Sequence, residues 1–220
     1  MDIEKILRCV DHTELKVTAT MSDIINLCDD AMRYNTASVC IAPCFVKGAK
    51  DYLKDRKSIC TVIGFPNGYN NTKTKIYETA QALSDGADEI DMVANIGDIK
   101  SGGYNFVLNE IKEIKKICDK KILKVIIETC LLTDEEKINM CKIVSESGAD
   151  FIKTSTGFSL SGATIEDVIL MKSNIFGGVK IKAAGGIKTL EDAELFLKSG
   201  ASRLGTSRIV KLVKENEKNG

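Results

Sequence analysis

The sequence predicts an α/β protein built as a (β/α)8 barrel. Three observations carry that expectation: a repeated glycine-to-strand junction, eight strand-like runs separated by helical patterns, and charges that recur on one face of several strands. The junctions read "SDGADEIDMV", "ESGADFIKTS" and "KSGASRLGTS", with Gly86, Gly148 and Gly200 at the turn. Each interval between them accommodates two strand–helix units of about 25–30 residues. A glycine there ends a helix in the left-handed conformation, and a strand follows at once. Eight such units fit in 220 residues, which suits a compact barrel. A doubly wound open sheet is the alternative.

In chain order, the strands are expected in "CVDHT", "ASVCIA", "ICTVIGF", "EIDMVAN", "LKVIIET", "FIKTST", "VKIKAA" and "SRLGTS". Helical patterns fill the intervals. "TDEEKINMCKIVSESG" opens with a capping box, Thr133 to Glu136, and ends at Gly148; "TLEDAELFLKSG" runs from Thr189 to Gly200. No linker or low-complexity stretch interrupts this beat, so residues 1–220 read as one domain.

Composition narrows the function. With 31 basic and 31 acidic residues, the chain has no charge bias toward nucleic acid or an anionic membrane. No apolar run approaches the roughly 18 residues of a membrane span, and the charged N-terminus lacks a secretory h-region. Eight scattered cysteines without a C-x-x-C, several inside apolar runs, read as free thiols in a reducing cytoplasm. His12 is the single histidine and no ligand cluster shows, so neither a metal nor another cofactor is expected.

The strand faces carry the chemistry. Side chains alternate along a strand. That puts Phe151, Lys153 and Ser155 on one face, Lys180, Lys182 and Ala184 on another, Glu89, Asp91, Val93 and Asn95 on a third, and Lys124, Ile126 and Glu128 on a fourth. The opposite faces are apolar and suit packing against helices. A single charge of this kind is ordinarily a rim residue. Four strands sending charges into one barrel is different, because each buried ion costs several kcal/mol unless paired. Two lysines beside a carboxylate suit imine chemistry. A neutral amine attacks a carbonyl, a second ammonium disfavours the charged form of the first, and the carboxylate shuttles protons.

Glycine loops follow the last two strands: Gly185 and Gly186 in "AAGGIKT", Gly205 and Ser207 in "RLGTSRIV". Loops at those positions of a barrel commonly cradle a phosphate. Gly157 in "STGFS" is expected to add a wall, and Arg208 offers charge or a plain surface residue. Thr154 and Cys40 are further candidates for contact with substrate. Asp11, Lys124 and Glu128 are expected to form a supporting charge network. His12 reads as structural.

The motifs "DHTELK", "SVCIAPCFV", "TVIGFPNG", "GADEIDMVANIGDIKSG", "KVIIETCLLT", "GADFIKTSTGF", "VKIKAAGGIKT" and "RLGTS" occur in this order. With them the chain resembles the 2-deoxyribose-5-phosphate aldolase family, the DeoC-type class I aldolases. It departs from the commoner pattern at Asn67 in "GFPNG" and Ala184 in "KAAGG". The resemblance implies a TIM barrel that reversibly cleaves 2-deoxy-D-ribose 5-phosphate to D-glyceraldehyde 3-phosphate and acetaldehyde. It implies Lys153 as the Schiff-base lysine, Lys182 as the lysine that perturbs it, and Asp91 as proton donor and acceptor. A homo-oligomer, commonly a dimer, is implied as well. The competing readings are another Schiff-base lyase, which would need a carboxylate-binding arginine, and a barrel that only binds a sugar phosphate.

Overall fold

The computed structural model describes residues 2–219. Helix α1 (Ile3–Leu7) precedes β1 (Val10–Glu14), α2 (Met21–Arg33), β2 (Ser38–Ile41), α3 (Val46–Leu53), β3 (Ser58–Ile63), α4 (Thr72–Ser84) and β4 (Glu89–Val93). Then come α5 (Ile96–Lys100), α6 (Tyr104–Cys118), β5 (Ile122–Ile126), α7 (Asp134–Ser147), β6 (Phe151–Lys153), α8 (Ile165–Asn174), β7 (Lys180–Ala184), α9 (Leu190–Ser199), β8 (Arg203–Thr206) and α10 (Ile209–Asn219).

The eight strands run parallel and close in sequence order. Closure is made by β8 against β1, with Val10 beside Leu204 and His12 beside Thr206. That pairing excludes the open doubly wound sheet. Two helices stand outside the simple repeat: α1, which packs against α9, and α5, formed by "IGDIK" directly after β4.

Local signals act as expected. Thr133 and Glu136 exchange both capping-box hydrogen bonds at the start of α7, and Thr189 with Asp192 does the same for α9. Gly148 ends α7 at φ 84°, where a Cβ would be strained. The outward faces of the strands, among them Val39, Ile63, Ile90, Met92, Val125, Ile152 and Ala183, form a continuous apolar layer with Ile24, Ile111, Val144 and Val168 of the helices. Each aliphatic side chain fully buried there contributes about 1.5–3 kcal/mol. The shell also holds one buried ion pair: Lys75 of α4 meets Glu110 of α6 at 2.8 Å and donates to the Val93 carbonyl at 2.9 Å. Among the described residues, no helix is long and apolar enough to cross a membrane, and all eight cysteines are free.

Candidate active site

The register of the barrel brings the charged residues together. Lys153 and Lys182 are neighbours across β6 and β7, and Asp91 and Lys124 across β4 and β5. All four point inward, because the residues between them fill the outer apolar layer. Lys153 and Lys182 share one oxygen, both donating to Asp91 Oδ2, at 2.7 and 2.6 Å. Asp91 Oδ1 accepts from Lys124 at 2.8 Å and from the Cys60 thiol at 3.1 Å. Lys182 also pairs with Asp11 Oδ2 at 2.5 Å, and Lys124 with Glu89 Oε2 at 2.5 Å.

Beneath these groups, at the N-terminal end of the strands, lies Arg203 of β8. Its Nη1 reaches Asp11 Oδ1 at 2.5 Å and Glu89 Oε2 at 3.2 Å. The guanidinium also stands 5.6 Å from the centre of the Phe151 ring. The cluster therefore runs as one chain of ion pairs from barrel floor to mouth.

Burial and charge oppose each other throughout the cluster. Burial alone would push the Asp91 carboxyl up, but Lys124, Lys153 and Lys182 hold it well below the usual carboxylate range. Asp11 behaves likewise: burial raises it, and Lys182, Lys124 and Arg203 more than reverse that. Burial pulls the ammonium of Lys182 down, yet Asp11 and Asp91 lift it above its ordinary value. Burial also pulls on Lys124, and Asp91, Cys60, Asp11 and Glu89 raise it well above normal. Asp11 and Asp91 are ionised, and Lys182 is a firm ammonium.

A cavity of about 370 Å3 opens above the cluster, lined by Lys153, Gly157, Gly185, Gly186, Gly205 and Ser207. Lys153 is the member of the cluster that reaches it; Asp11, Asp91, Lys124 and Lys182 are wholly buried beneath. The glycines are sterically required. Gly185 and Gly186 have φ of 76° and 78°, and a Cβ on Gly162 would lie 2.3 Å from the Gly185 carbonyl carbon. At Gly205 a Cβ would press on Lys182 Cε at 3.1 Å. Lys188 and Arg208 add positive charge to the wall. Phe158, also on the wall, meets Phe65 edge to face, with ring centres 5.3 Å apart. An anion can sit at the glycine end while a carbonyl carbon meets Lys153.

Several expectations need correction. Thr154 does not line the cavity. It points away from Lys153, and its hydroxyl is engaged with the Ala184 backbone, accepting from N at 3.1 Å and lying 3.3 Å from O. Cys40 is buried beside Cys60 and Val62 and also stays off the cavity wall; its hydrogen bond with Cys60 holds its thiol below the ordinary value. Glu128 joins no lysine. Strand β5 ends at Ile126 and Glu128 adopts φ 50°, so strand alternation no longer applies. Its carboxylate instead accepts from Thr156 N at 3.2 Å and Thr156 Oγ1 at 2.5 Å. Lys180 stays exposed at the barrel floor. His12 faces outward, with Nε2 3.9 Å from Asp30, and burial lowers it to about 4. It lines an adjoining hollow of about 510 Å3 against α10, which shares Ser207 and Arg208 with the first cavity and holds none of the cluster.

Sequence reasoning passed over Arg203, Cys60 and the Phe65–Phe158 contact. The signal for Arg203 was present: the alternation that turns Gly205 inward turns Arg203 inward as well. The groupings Cys40–Cys60–Asp91 and Asp11–Cys60–Glu89 bring three potential donor atoms within 4.8 Å of one another, a proximity invisible in their sequence positions. Their carboxylates are already held by lysine and arginine cations.

The DeoC/LacD family aldolase model matches residues 5–207. The deoxyribose-phosphate aldolase of Streptococcus pyogenes serotype M4 is 58% identical over 214 residues, covering 97% of this chain and 96% of the relative. That of Streptococcus agalactiae serotype Ia is 57% identical over 217 residues, covering 99% and 97%. Among solved structures, the tetrameric deoxyribose phosphate aldolase of Aeropyrum pernix superposes with a TM-score of 0.90 at 29% identity, covering 100% of this chain and 94% of that one. A family match over residues 5–207, with identity above one half to relatives of equal length, means that the chain belongs to the DeoC/LacD aldolase family.

Proposed function

We propose that this protein is a class I aldolase that reversibly cleaves 2-deoxy-D-ribose 5-phosphate to D-glyceraldehyde 3-phosphate and acetaldehyde. Lys153 forms the imine, Lys182 is the neighbouring charge and acid, and Asp91 relays protons. The observation that carries the reading is the convergence of two lysines on one oxygen of Asp91, with only Lys153 reaching a glycine-lined cavity.

The neutral amine of Lys153 attacks the C1 aldehyde of the open-chain sugar. The carbinolamine takes up a proton from the Lys182–Asp91 pair and loses water, leaving a protonated imine. The C3 hydroxyl returns a proton to that pair, the C2–C3 bond breaks, and its electron pair flows into the protonated imine to form an enamine. Glyceraldehyde 3-phosphate leaves. Protonation at C2 and hydrolysis then release acetaldehyde and restore the amine. Because Asp91 is held ionised, it stores no proton at rest and passes protons between the Lys182 ammonium and the reacting groups on Lys153. Backbone N–H groups around Gly186 and Ser207, with Lys188 and Arg208 nearby, hold the phosphate.

We further read residues 1–220 as one catalytic domain, cytoplasmic and homo-oligomeric, dimer or larger. Free buried thiols and balanced charge support the compartment, and the tetrameric relative supports assembly. The test is acetaldehyde release from deoxyribose 5-phosphate with chelator present, combined with borohydride trapping of acetaldehyde and peptide mapping. One labelled lysine, Lys153, is expected; label on Lys182 would reverse the roles. Ser207→Asp should raise KM strongly for the phosphorylated sugar and little for deoxyribose. Equal losses on both would contradict the phosphate assignment.

A further inference from the structure

The cluster's charges do not balance. Asp11, Glu89 and Asp91 face Lys124, Lys153, Lys182 and Arg203. With the three amines and the guanidinium protonated and the three carboxylates ionised, three negative charges meet four positive ones. Asp11, Asp91, Lys124 and Lys182 are wholly buried, and Arg203 is the most exposed of the seven, with its side chain 14% open to water. Lys153 alone of the four cations reaches the substrate cavity, and among them it has the fewest carboxylate partners, with Asp91 its single one.

We propose that Arg203 is a positioning residue that sets the pH range of imine formation from the barrel floor, by occupying the carboxylates that would otherwise neutralise the cations above. This rests on the Schiff-base reading of Lys153. Arg203 takes Asp11 Oδ1 at 2.5 Å and Glu89 Oε2 at 3.2 Å. Asp11 therefore serves Arg203 through one oxygen and Lys182 through the other, and Glu89 serves both Arg203 and Lys124. Lys124 and Lys182 then lean on Asp91, the one carboxylate that Lys153 has. Loss of one proton from Lys153 brings the cluster to three against three. The surplus that favours loss of the Lys153 proton thus includes a charge on β8 that takes no part in lining the cavity.

The other groups facing these residues are few. Cys60 donates to Asp91 Oδ1 and Cys40 lies beside it; both are counted as thiols. Phe151 presents its ring to Arg203 and, 5.8 Å from Lys180 Nζ, to that exposed lysine. Cys9, in front of β1, feels the Arg203 charge. None of these supplies a fourth carboxylate.

The experiment compares the unmodified protein, Arg203→Met, Arg203→Lys and Glu89→Gln. It records the pH dependence of borohydride trapping of acetaldehyde at Lys153 and of kcat/KM. Arg203→Met removes a positive charge, so both profiles should move to higher pH, by about one unit for a single charge acting through an effective dielectric near 20. Glu89→Gln removes a negative charge, so both should move to lower pH by a similar amount. Arg203→Lys keeps the charge and should restore the original profile even if the rate falls. Should Arg203→Met fail to fold, the Glu89→Gln and Arg203→Lys profiles carry the test. Variants that lower the rate uniformly on unmoved profiles, or two neutralisations that move them the same way, overturn the proposal. Absence of trapping at Lys153 in the unmodified protein overturns the Schiff-base reading itself, a distinct outcome.

Discussion

Lys75 and Lys182 are both fully buried, and both make ion pairs shorter than 3 Å. Lys75 lies between α4 and α6 with one carboxylate, Glu110, and one carbonyl, Val93. Thr72 donates to the second Glu110 oxygen at 3.1 Å. That pair balances one charge with one, and neither of its residues lines the substrate cavity. Lys182 belongs to a group of seven charges that does not balance and that touches a cavity through Lys153. Burial of charge is common to both regions. What separates them is surplus charge and access, and those two properties turn an ion-pair network into a reactive site.

Four substitutions would break or sharpen that contrast. The largest effect belongs to Lys153→Leu, which should abolish both trapping and turnover, since Lys153 is the one amine of the charged cluster that reaches the cavity; residual label would show a second nucleophile. Lys182→Leu keeps the nucleophile and removes its neighbour's charge. Turnover at pH 7 should fall by about 10²–10⁴, the range for a lost proton-transfer partner, and trapping should recover partly at higher pH. Normal trapping at pH 7 would mean that burial, not the second ammonium, governs reactivity.

The shell pair should respond the opposite way. Lys75→Met leaves Glu110 buried and unpaired, a loss of about 3–5 kcal/mol in urea unfolding, while kcat/KM of the folded fraction stays near its starting value. Adding Glu110→Leu should recover most of the stability. A folded Lys75→Met protein without activity would erase the distinction between the two regions.

His12 supplies a third kind of buried titrating group, one kept neutral rather than paired. Burial lowers it to about 4, against the opposing pull of Asp30 and Glu14 and with the help of Lys214. The unfolded chain therefore takes up its proton first as pH falls. Stability from this residue is intact above about 6.5 and declines toward pH 4, by about 3 kcal/mol in total. His12→Gln should flatten urea midpoints across that window; an unchanged slope would place the titrating group elsewhere.

Much of the site was legible because strand alternation is a rigid rule. "FIKTS", "VKIKAA", "EIDMVAN" and "LKVIIET" each announced an inward charge, and Lys153, Lys182, Asp91 and Lys124 are all found there. The rule failed where the strand did. Glu128 lies past the end of β5 in a left-handed turn, so its partner, Thr156, was invisible. Thr154 is among the candidates for contact with substrate, although the same alternation turns it away from Lys153. Lys75 and Glu110 sit on helices whose other residues are polar enough to hide a buried pair, and only the packing of α4 on α6 reveals it.

The contact between Arg203 and Asp11 joins residues 192 positions apart. No partial chain contains it. Contacts across so long a span form only after loop-closure entropy has been paid, and until β8 docks, Asp11 Oδ1 has the Ser38 hydroxyl but no cation, while Lys182 holds the other oxygen. A chain that stops before residue 203 would keep Asp11 paired with Lys182 but lack the guanidinium that bridges Asp11 and Glu89. The charge count of the cluster is therefore complete only once the last strand has docked.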